Sequence, residues 1–208
     1  MSDDPSLRHY EWEDERYWLT YTLFGRLGYS GSAAADIWQR QFQERFGPEA
    51  APELEAAYRA ASKVLPLITA FHMPVHPSVQ YWPELSTGGA LFAEHNYNKT
   101  FRDRTYQNTE PSDPGLFYRI TDYISDWLAS CLRGKYTPLQ VRVWFRSCVS
   151  EIRRSLDRTD NYKIASESAE YKATRFDLLM LAELADYHAA KIQAALALSL
   201  YQKTNEAN

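Results

Sequence analysis

Histidine is the residue type in this chain that most directly suggests chemistry, because imidazole titrates near neutral pH and binds metals. Three of the five histidines, His72, His76 and His95, fall within one stretch, and Glu84 lies among them. These side chains could serve a free-standing helical enzyme with a metal site between helices. His72 and His76 are four residues apart, a spacing at which two histidines can bind a metal from one helix face. Pro74 lies between them, however, and disfavours a helix there. An enzyme with a site near these histidines is therefore the alternative hypothesis.

The last predicted helix carries further polar candidates. His188 lies among apolar residues at helical spacing, which predicts a hydrogen-bonded core histidine rather than a ligand. Glu183 and Asp186 share a helix face, but a metal site in a bundle also needs a Glu-x-x-His motif, which the chain lacks. The chain has no nucleophile elbow, phosphate-binding loop, dinucleotide fingerprint or zinc-protease motif either. The sequence thus predicts a solvated carboxylate pair, no catalytic residue, no metal and no cofactor.

Residues 76–108 form a long polar and aromatic stretch that contains proline and glycine. Connections longer than about 15 residues without regular structure tend to be functional or disordered, and the apolar content of this one disfavours disorder. We expect an ordered loop that covers an end of the protein's own helices, or forms a partner interface or a ligand surface. Pro83 biases Trp82 toward an extended backbone, which would fix the ring for packing or for stacking on a sugar. The predicted binding residues are Tyr81, Trp82, Glu84, His95 and Asn96.

Helix-start and helix-stop signals divide the rest of the chain into about six helices. Serine and threonine caps, prolines in first turns and glycines at helix ends mark the boundaries. The predicted helices cover about residues 9–27, 32–46, 52–65, 114–133, 137–156 and 166–203, and Pro66 should kink the third or begin a further turn as far as Phe71. The predicted fold is all-α, an irregular bundle of about six helices with one long ordered loop (about residues 76–108). We expect a single helical domain over residues 1–208.

Apolar spacing predicts which sides of these helices are distinctive. Tyr17, Tyr21 and Phe24 recur with Tyr10 at helical intervals and give the first helix one aromatic face. The only two cysteines, Cys131 and Cys148, each lie inside an apolar helical pattern. We therefore expect both to be buried free thiols rather than a disulfide or a reactive pair.

Composition and charge exclude several classes of protein. The net charge of −4 argues against a nucleic-acid partner on electrostatic grounds. No apolar run approaches the roughly 20 residues that a membrane-spanning helix needs. The N-terminus, MSDDPSLRHYEWEDE, lacks the basic and then apolar layout of a signal peptide. As written, the chain is expected to be cytoplasmic, or periplasmic or secreted if it is a trimmed piece of a longer protein.

Several segments resemble the C-terminal helical region of large bacterial carbohydrate-active proteins similar to α-glucuronidase and β-hexosaminidase-like glycosidases. They are residues 15–17 (ERY), 24–29 (FGRLGY), 61–66 (ASKVLP), 81–84 (YWPE), 112–117 (SDPGLF), 134–139 (GKYTPL) and 187–192 (YHAAKI). In such proteins this kind of helical region follows a catalytic (β/α)-barrel, whose carboxylates lie at the C-terminal ends of the barrel strands. This chain contains no barrel, so the resemblance implies no catalytic residue here.

The resemblance implies a function without catalysis. The first hypothesis is a helical accessory domain of a glycoside hydrolase-like enzyme, which contributes packing or substrate-facing surface. Its partner would be the (β/α)-barrel catalytic domain or the carbohydrate itself. A third hypothesis is a protein-interaction module without sugar binding, which predicts self-association through the aromatic stretch at residues 76–108.

Overall fold

Helices make up nearly all of the regular structure, as the sequence predicts. The computed structural model describes residues 10–32, 34, 36–72, 89–95, 105–162 and 168–205. The α-helices in these ranges are α1 (Glu13–Arg16), α2 (Trp18–Tyr29), α3 (Asp36–Phe46), α4 (Ala51–Ala61), α5 (Val64–His72), α6 (Ile120–Leu128), α7 (Pro138–Thr159) and α8 (Ala169–Asn205), with a 3-10 turn at Ala93–His95. The all-α prediction is confirmed. None of the helices described is long and apolar enough to cross a membrane.

The first predicted helix is divided at Tyr17, whose φ of −102° and ψ of 28° depart from helical values. The break lies between α1 and α2, yet the Tyr21 N–H still donates to the Tyr17 carbonyl (3.1 Å). Trp18, directly after the break, is buried. The break therefore lies directly before the residue whose indole ring enters the core.

The C-terminal end of α3 at Phe46 is as predicted, but α3 begins at Asp36 rather than directly after Ser32. The third predicted helix (residues 52–65) is divided, because α4 ends at Ala61 and α5 begins at Val64, before Pro66. Gly47 follows α3 with φ of +84°, in the left-handed region that favours glycine. Its N–H donates to the Gln43 carbonyl (2.9 Å), which closes the helix end. Pro66 is the third residue of α5, in the first turn, where no intrahelical partner is needed for its missing N–H.

The fourth predicted helix was wrong at both ends. Asp113 accepts hydrogen bonds from the N–H groups of Gly115 and Leu116 (2.9 and 3.1 Å), so it forms a turn and caps no helix. Residues 114–116 continue that turn, and Phe117 after it forms an isolated parallel bridge with Tyr136. The helix that remains, α6, is nine residues long.

The C-terminal end of α6 is fixed by a hydrogen bond that the sequence pattern does not show. The Cys131 N–H donates to the Asp126 carbonyl (2.8 Å). Ser130 between them has φ of 54°, a left-handed position typical of a helix end. Trp127 and Leu128, predicted on the inner face, are 49% and 46% exposed because the helix stops there.

The two cysteines differ in environment. Cys148 is buried in α7, and burial raises the pKa of its thiol. Cys131 is exposed. The prediction of a buried thiol is therefore confirmed for Cys148 and wrong for Cys131, because α6 ends before that residue.

The chain divides into two compact units, each described here by itself. The first unit consists of the described residues of Met1–Ala61 and Ser150–Leu181. Its core is aromatic: the Trp18 ring packs edge-on against Phe42 (centroids 5.1 Å apart), and Tyr58 also packs edge-on against Phe42 (5.5 Å). Alanines of α4 are buried beside these rings and allow neighbouring elements to approach closely.

Exposed ion pairs link α8 to the N-terminal helices within the first unit. Arg16 donates two hydrogen bonds to Asp177 (2.5 and 3.0 Å). Arg45 donates to Glu170 (2.7 Å) while its guanidinium lies 4.8 Å from the centroid of the Trp18 ring. Such pairs typically contribute below about 1 kcal/mol each in water. They therefore fix the position of α8 along the N-terminal helices more than they add to the stability of the unit.

The second unit consists of the described residues of Ser62–Val149 and Ala182–Asn208. Its core combines branched aliphatic residues, aromatic rings and a row of alanines on α8. The members are Val64, Ile68, Phe71, Tyr106, Phe117, Ile120, Val141, Phe145, Cys148, Val149, Ala185, Ala189, Ile192 and Ala195. Because α7 and α8 contribute residues to both units, the single domain over residues 1–208 stays a prediction.

We predict that Thr137→Ala lowers the free energy of unfolding by about 1 kcal/mol. The Thr137 hydroxyl accepts from the Gln140 N–H (3.2 Å) and the Gln140 side chain accepts from the Thr137 N–H (2.8 Å), which is a capping box at the start of α7. Urea unfolding monitored by circular dichroism measures the change. Thr204→Ala, in the last turn of α8, is the control and should leave stability nearly unchanged. An unaltered Thr137→Ala midpoint would contradict the capping role.

Candidate functional site

Most of the predicted binding residues fall outside the described residues. Tyr81, Trp82, Glu84 and Asn96 are among them. His95 lies at the end of the 3-10 turn, exposed, with its ring edge-on to Phe92 at 5.9 Å. The role predicted for these five residues stays a prediction.

The described part of the 76–108 stretch packs into the second unit. Tyr106 is wholly buried. Its N–H donates to the Ala90 carbonyl (2.8 Å), which ties residues 89–95 to residues 105–108. The Gln107 side-chain amide donates to the Leu91 carbonyl (3.2 Å) and adds a second tie. Residues 89–95 and residues 105–108 are therefore held together by hydrogen bonds, whereas the order predicted for the rest of the stretch lies outside the described residues.

His72, one of the candidate ligands, is used inside the core. Its Nε2 lies 2.5 Å from the Tyr106 carbonyl oxygen, and its ring centroid lies 3.7 Å from that of Tyr106. Burial lowers the pKa of His72 to about 3, although the bond to the carbonyl opposes this, and the charges of His188 and Lys191 lower it further. The imidazole is therefore neutral at physiological pH and donates its proton to the carbonyl. Over the described part of the chain, no three His, Cys, Asp or Glu side chains are grouped to hold a metal.

His188 is a buried core histidine, as predicted. Its Nδ1 lies 3.2 Å from the Tyr106 hydroxyl oxygen, within hydrogen-bond distance. The imidazole stacks on Phe145, with ring centroids 5.8 Å apart and planes inclined by 24°. Tyr106 thus contacts one histidine through its backbone carbonyl and ring, and another through its hydroxyl.

A lysine completes this group, which we name the Lys191 cluster: Tyr106, Tyr187, His188 and Lys191. The Lys191 ammonium lies 4.6 Å from the centroid of the Tyr106 ring and donates to the Tyr187 hydroxyl (3.0 Å). Burial lowers the pKa of Lys191 to about 8. Burial also raises the pKa values of Tyr106 and Tyr187, so both phenols stay neutral.

Sequence reasoning missed Lys191 as a functional candidate. The signal available was the spacing of Tyr187 and Lys191, which are four residues apart and therefore neighbours on one helix face. Tyr106, another member of the cluster, precedes His188 by 82 residues in the sequence. No helical period connects residues at that separation, so the cluster is visible only in the folded chain.

The carboxylates of α8 do not form a paired site. Glu183 is exposed. Asp186 forms an ion pair with Arg146 of α7 (2.5 Å). Asp186 thus serves as the partner of an arginine, so the expectation of a solvated carboxylate pair does not hold for it.

A second candidate surface lies along α2 in the first unit, and we name it the α2 face: Tyr17, directly before the helix, and Tyr21, Phe24, Leu27 and Tyr29 on it. Phe24 is 80% exposed and Tyr29 is 94% exposed, and the other three are 44% to 56% exposed. A side chain added at Gly25 or Gly28 would meet nothing within 4 Å, so this end of the helix is open. Large exposed apolar patches on a folded chain mark interaction sites.

Comparison of the chain with known protein families, with characterised proteins and with solved structures finds no match. The function must therefore be argued from the geometry of the two surfaces just described, together with the segments that resemble glycosidase helical regions.

We predict that His72 makes the second unit sensitive to acid. Because its pKa is about 3 in the folded state and near 6.5 when unfolded, stability is retained above pH 6.5 and is lost as the pH falls toward 3. Between pH 7 and pH 5 the loss should be about 2 kcal/mol. Urea unfolding across this range should show a steeper decline for the parent protein than for His72→Gln, whose amide can still donate to the Tyr106 carbonyl.

The exposed His95→Gln is the matched control for this experiment. It should retain the acid sensitivity of the parent protein. Parallel declines in the parent and in His72→Gln would show that His72 does not cause the pH dependence.

Proposed function

We propose that this chain is a non-catalytic helical accessory module that docks, through the α2 face, on the (β/α)-barrel catalytic domain of a glycoside hydrolase-like protein. The observation that carries the proposal is the exposure of four large apolar side chains on one short helix and of Tyr17 directly before it. A helix of this composition is usually covered in a working assembly, because apolar area left in water costs roughly 25 cal/mol per Å².

The α2 face offers enough apolar surface for specific docking. Aromatic side chains bury about 150–250 Å² each when fully covered and dominate the energetics of interfaces. Phe24, near the middle of the helix, is 80% exposed, and Tyr29, its last residue, is 94% exposed. Gly25 and Gly28 lie between them and let a partner approach the backbone. Docking there would add apolar contact without displacing Trp18, which lies buried in the same helix.

The charges beside the α2 face define the chemistry of the partner. Glu13, Asp14 and Glu15 of α1 precede the face and are exposed. Arg26 lies within the same helix. A complementary partner surface therefore presents an apolar depression with basic side chains toward the α1 end. With a net charge of −4 for this chain, such a partner would also associate faster at low ionic strength.

The glycosidase context is supported by a coincidence of sequence and structure. Residues 24–29, one of the segments that resemble glycosidase helical regions, form the exposed end of α2. Their apolar side chains contribute nothing to the described core of the first unit. Contact with another domain would bury these apolar side chains, which the first unit leaves exposed.

The enzyme hypothesis based on the histidines gains no support from the described residues. His72 is buried and bonded to a carbonyl, whereas His95 is exposed in a separate 3-10 turn. The interaction-module hypothesis was tied to residues 76–108, most of which lie outside the described residues. A second copy of this chain could instead occupy the α2 face, and one experiment distinguishes that partner from the glycosidase.

We predict that Phe24→Glu weakens docking at least about tenfold, because it places a charge at the centre of an apolar contact. The measurement is calorimetric titration of the parent chain and the variant with the barrel glycosidase encoded in the same gene or beside it. The variant should melt like the parent, since Phe24 is 80% exposed. Leu132→Glu, a 49% exposed leucine of the second unit, is the control and should bind normally.

Two results would contradict this proposal. Binding of the glycosidase that is equally strong for parent and Phe24→Glu would exclude the α2 face. Failure of the parent to bind the glycosidase, together with self-association that Phe24→Glu abolishes in sedimentation, would identify a second copy of this chain as the occupant.

A further inference from the structure

The Lys191 amine occupies an unusual position for a lysine. It lies between two aromatic rings, 4.6 Å from the Tyr106 centroid and 5.2 Å from that of Tyr187, and donates to the Tyr187 hydroxyl. In the described ranges, no carboxylate lies within ion-pairing distance of it. The rings stabilise the cation partly through their faces, but no negative charge compensates for the water that burial removes.

This environment raises the share of neutral amine. With a pKa of about 8, roughly a quarter of the Lys191 side chains are uncharged at pH 7.5, against about one in a thousand for an ordinary lysine. A neutral amine has a free lone pair, and desolvation in an apolar setting is one of the ways in which proteins activate lysine as a nucleophile.

The surroundings also hold the amine in place. Tyr106 is wholly buried, and its hydroxyl and carbonyl are engaged by His188 and His72. Tyr187 is 42% exposed and Lys191 is half-buried, so the more exposed side of the cluster is the one that carries the Tyr187 ring. One wall of the cluster is thus rigid and apolar, and the other is an exposed phenol.

We propose that Lys191 is a reactive amine that takes small uncharged aldehydes as an imine, with the Tyr187 hydroxyl positioned to relay the proton. This inference goes beyond the proposed docking function and concerns the other unit of the chain. It rests on the placement of the amine against two rings and one hydroxyl.

The charges of the unit favour an uncharged substrate. The α7 arginines with described partners on α8 are engaged, Arg142 with Gln193 (2.7 Å) and Arg146 with Asp186 (2.5 Å). Among the residues that the structure describes, the Lys191 cluster holds no arginine and no second lysine to bind a carboxylate or a phosphate. A neutral carbonyl compound of few atoms fits the available groups.

The reaction balances with no further reagent. The Lys191 nitrogen forms a bond to the carbonyl carbon while the π electrons of the C=O bond move to oxygen, and a proton passes from nitrogen to that oxygen to give a carbinolamine. Tyr187, 3.0 Å from the amine, can accept one proton and donate its own in this transfer. Loss of the hydroxyl with a second proton releases water and leaves the C=N bond.

The test uses glycolaldehyde as the probe, with sodium cyanoborohydride to reduce the imine by hydride addition at carbon. Peptide mass mapping then gives the labelling rate of each lysine. At pH 7.5 we expect Lys191 to be labelled at least tenfold faster than Lys172, an exposed lysine of the same helix, and its rate should rise with a midpoint near pH 8. Labelling of Lys191 at or below the rate of Lys172 would overturn the proposal.

Two variants test the parts of the site separately. Lys191→Arg should lose the label at this position while the other lysines react as before. Tyr187→Phe keeps the amine but removes the hydroxyl, and should slow labelling of Lys191 at least threefold with the rate at Lys172 unchanged. An unchanged rate at Lys191 in Tyr187→Phe would overturn the relay assigned to the hydroxyl. Both measurements are independent of whether the α2 face binds a partner.

Discussion

The burial of Tyr106 is the constraint on which the second unit depends. This residue comes from an irregular stretch, yet its side chain is wholly enclosed, and each of its polar groups has a partner within the unit. His72 engages its carbonyl, His188 meets its hydroxyl and the Ala90 carbonyl accepts its N–H. A buried polar group without a partner costs about 1–3 kcal/mol, so these three contacts are what make it possible to place a tyrosine there.

The same ring explains the chemistry of its neighbours. Its face receives the Lys191 ammonium, and its bulk keeps water from the amine on that side. The imidazole of His72 stacks on it and is held neutral by burial. Structural packing and the altered acidity of two side chains therefore have one physical origin, which is the exclusion of water around a single aromatic residue.

The first unit presents the opposite arrangement, in which aromatic residues remain in water. Trp18 packs against Phe42 in the core, whereas Phe24 and Tyr29 on the same helix are exposed. One helix thus serves two environments, and its outer surface has the composition of an interface. A partner that covers α2 would complete the burial that the first unit begins.

The sequence by itself determined the features that depend on neighbouring residues. The cap at Thr137, the helix stop at Gly47 and the core position of His188 follow from local hydrogen bonding, backbone conformation and helical spacing, so each was predictable. Tertiary structure decided where distant segments met. The bridge between Phe117 and Tyr136 accompanies the late start of α6, and the approach of Tyr106 to α8 created the Lys191 cluster. The physical reason is that helix signals act within about four residues, whereas desolvation depends on whichever side chain excludes the water, however far away it lies in the chain.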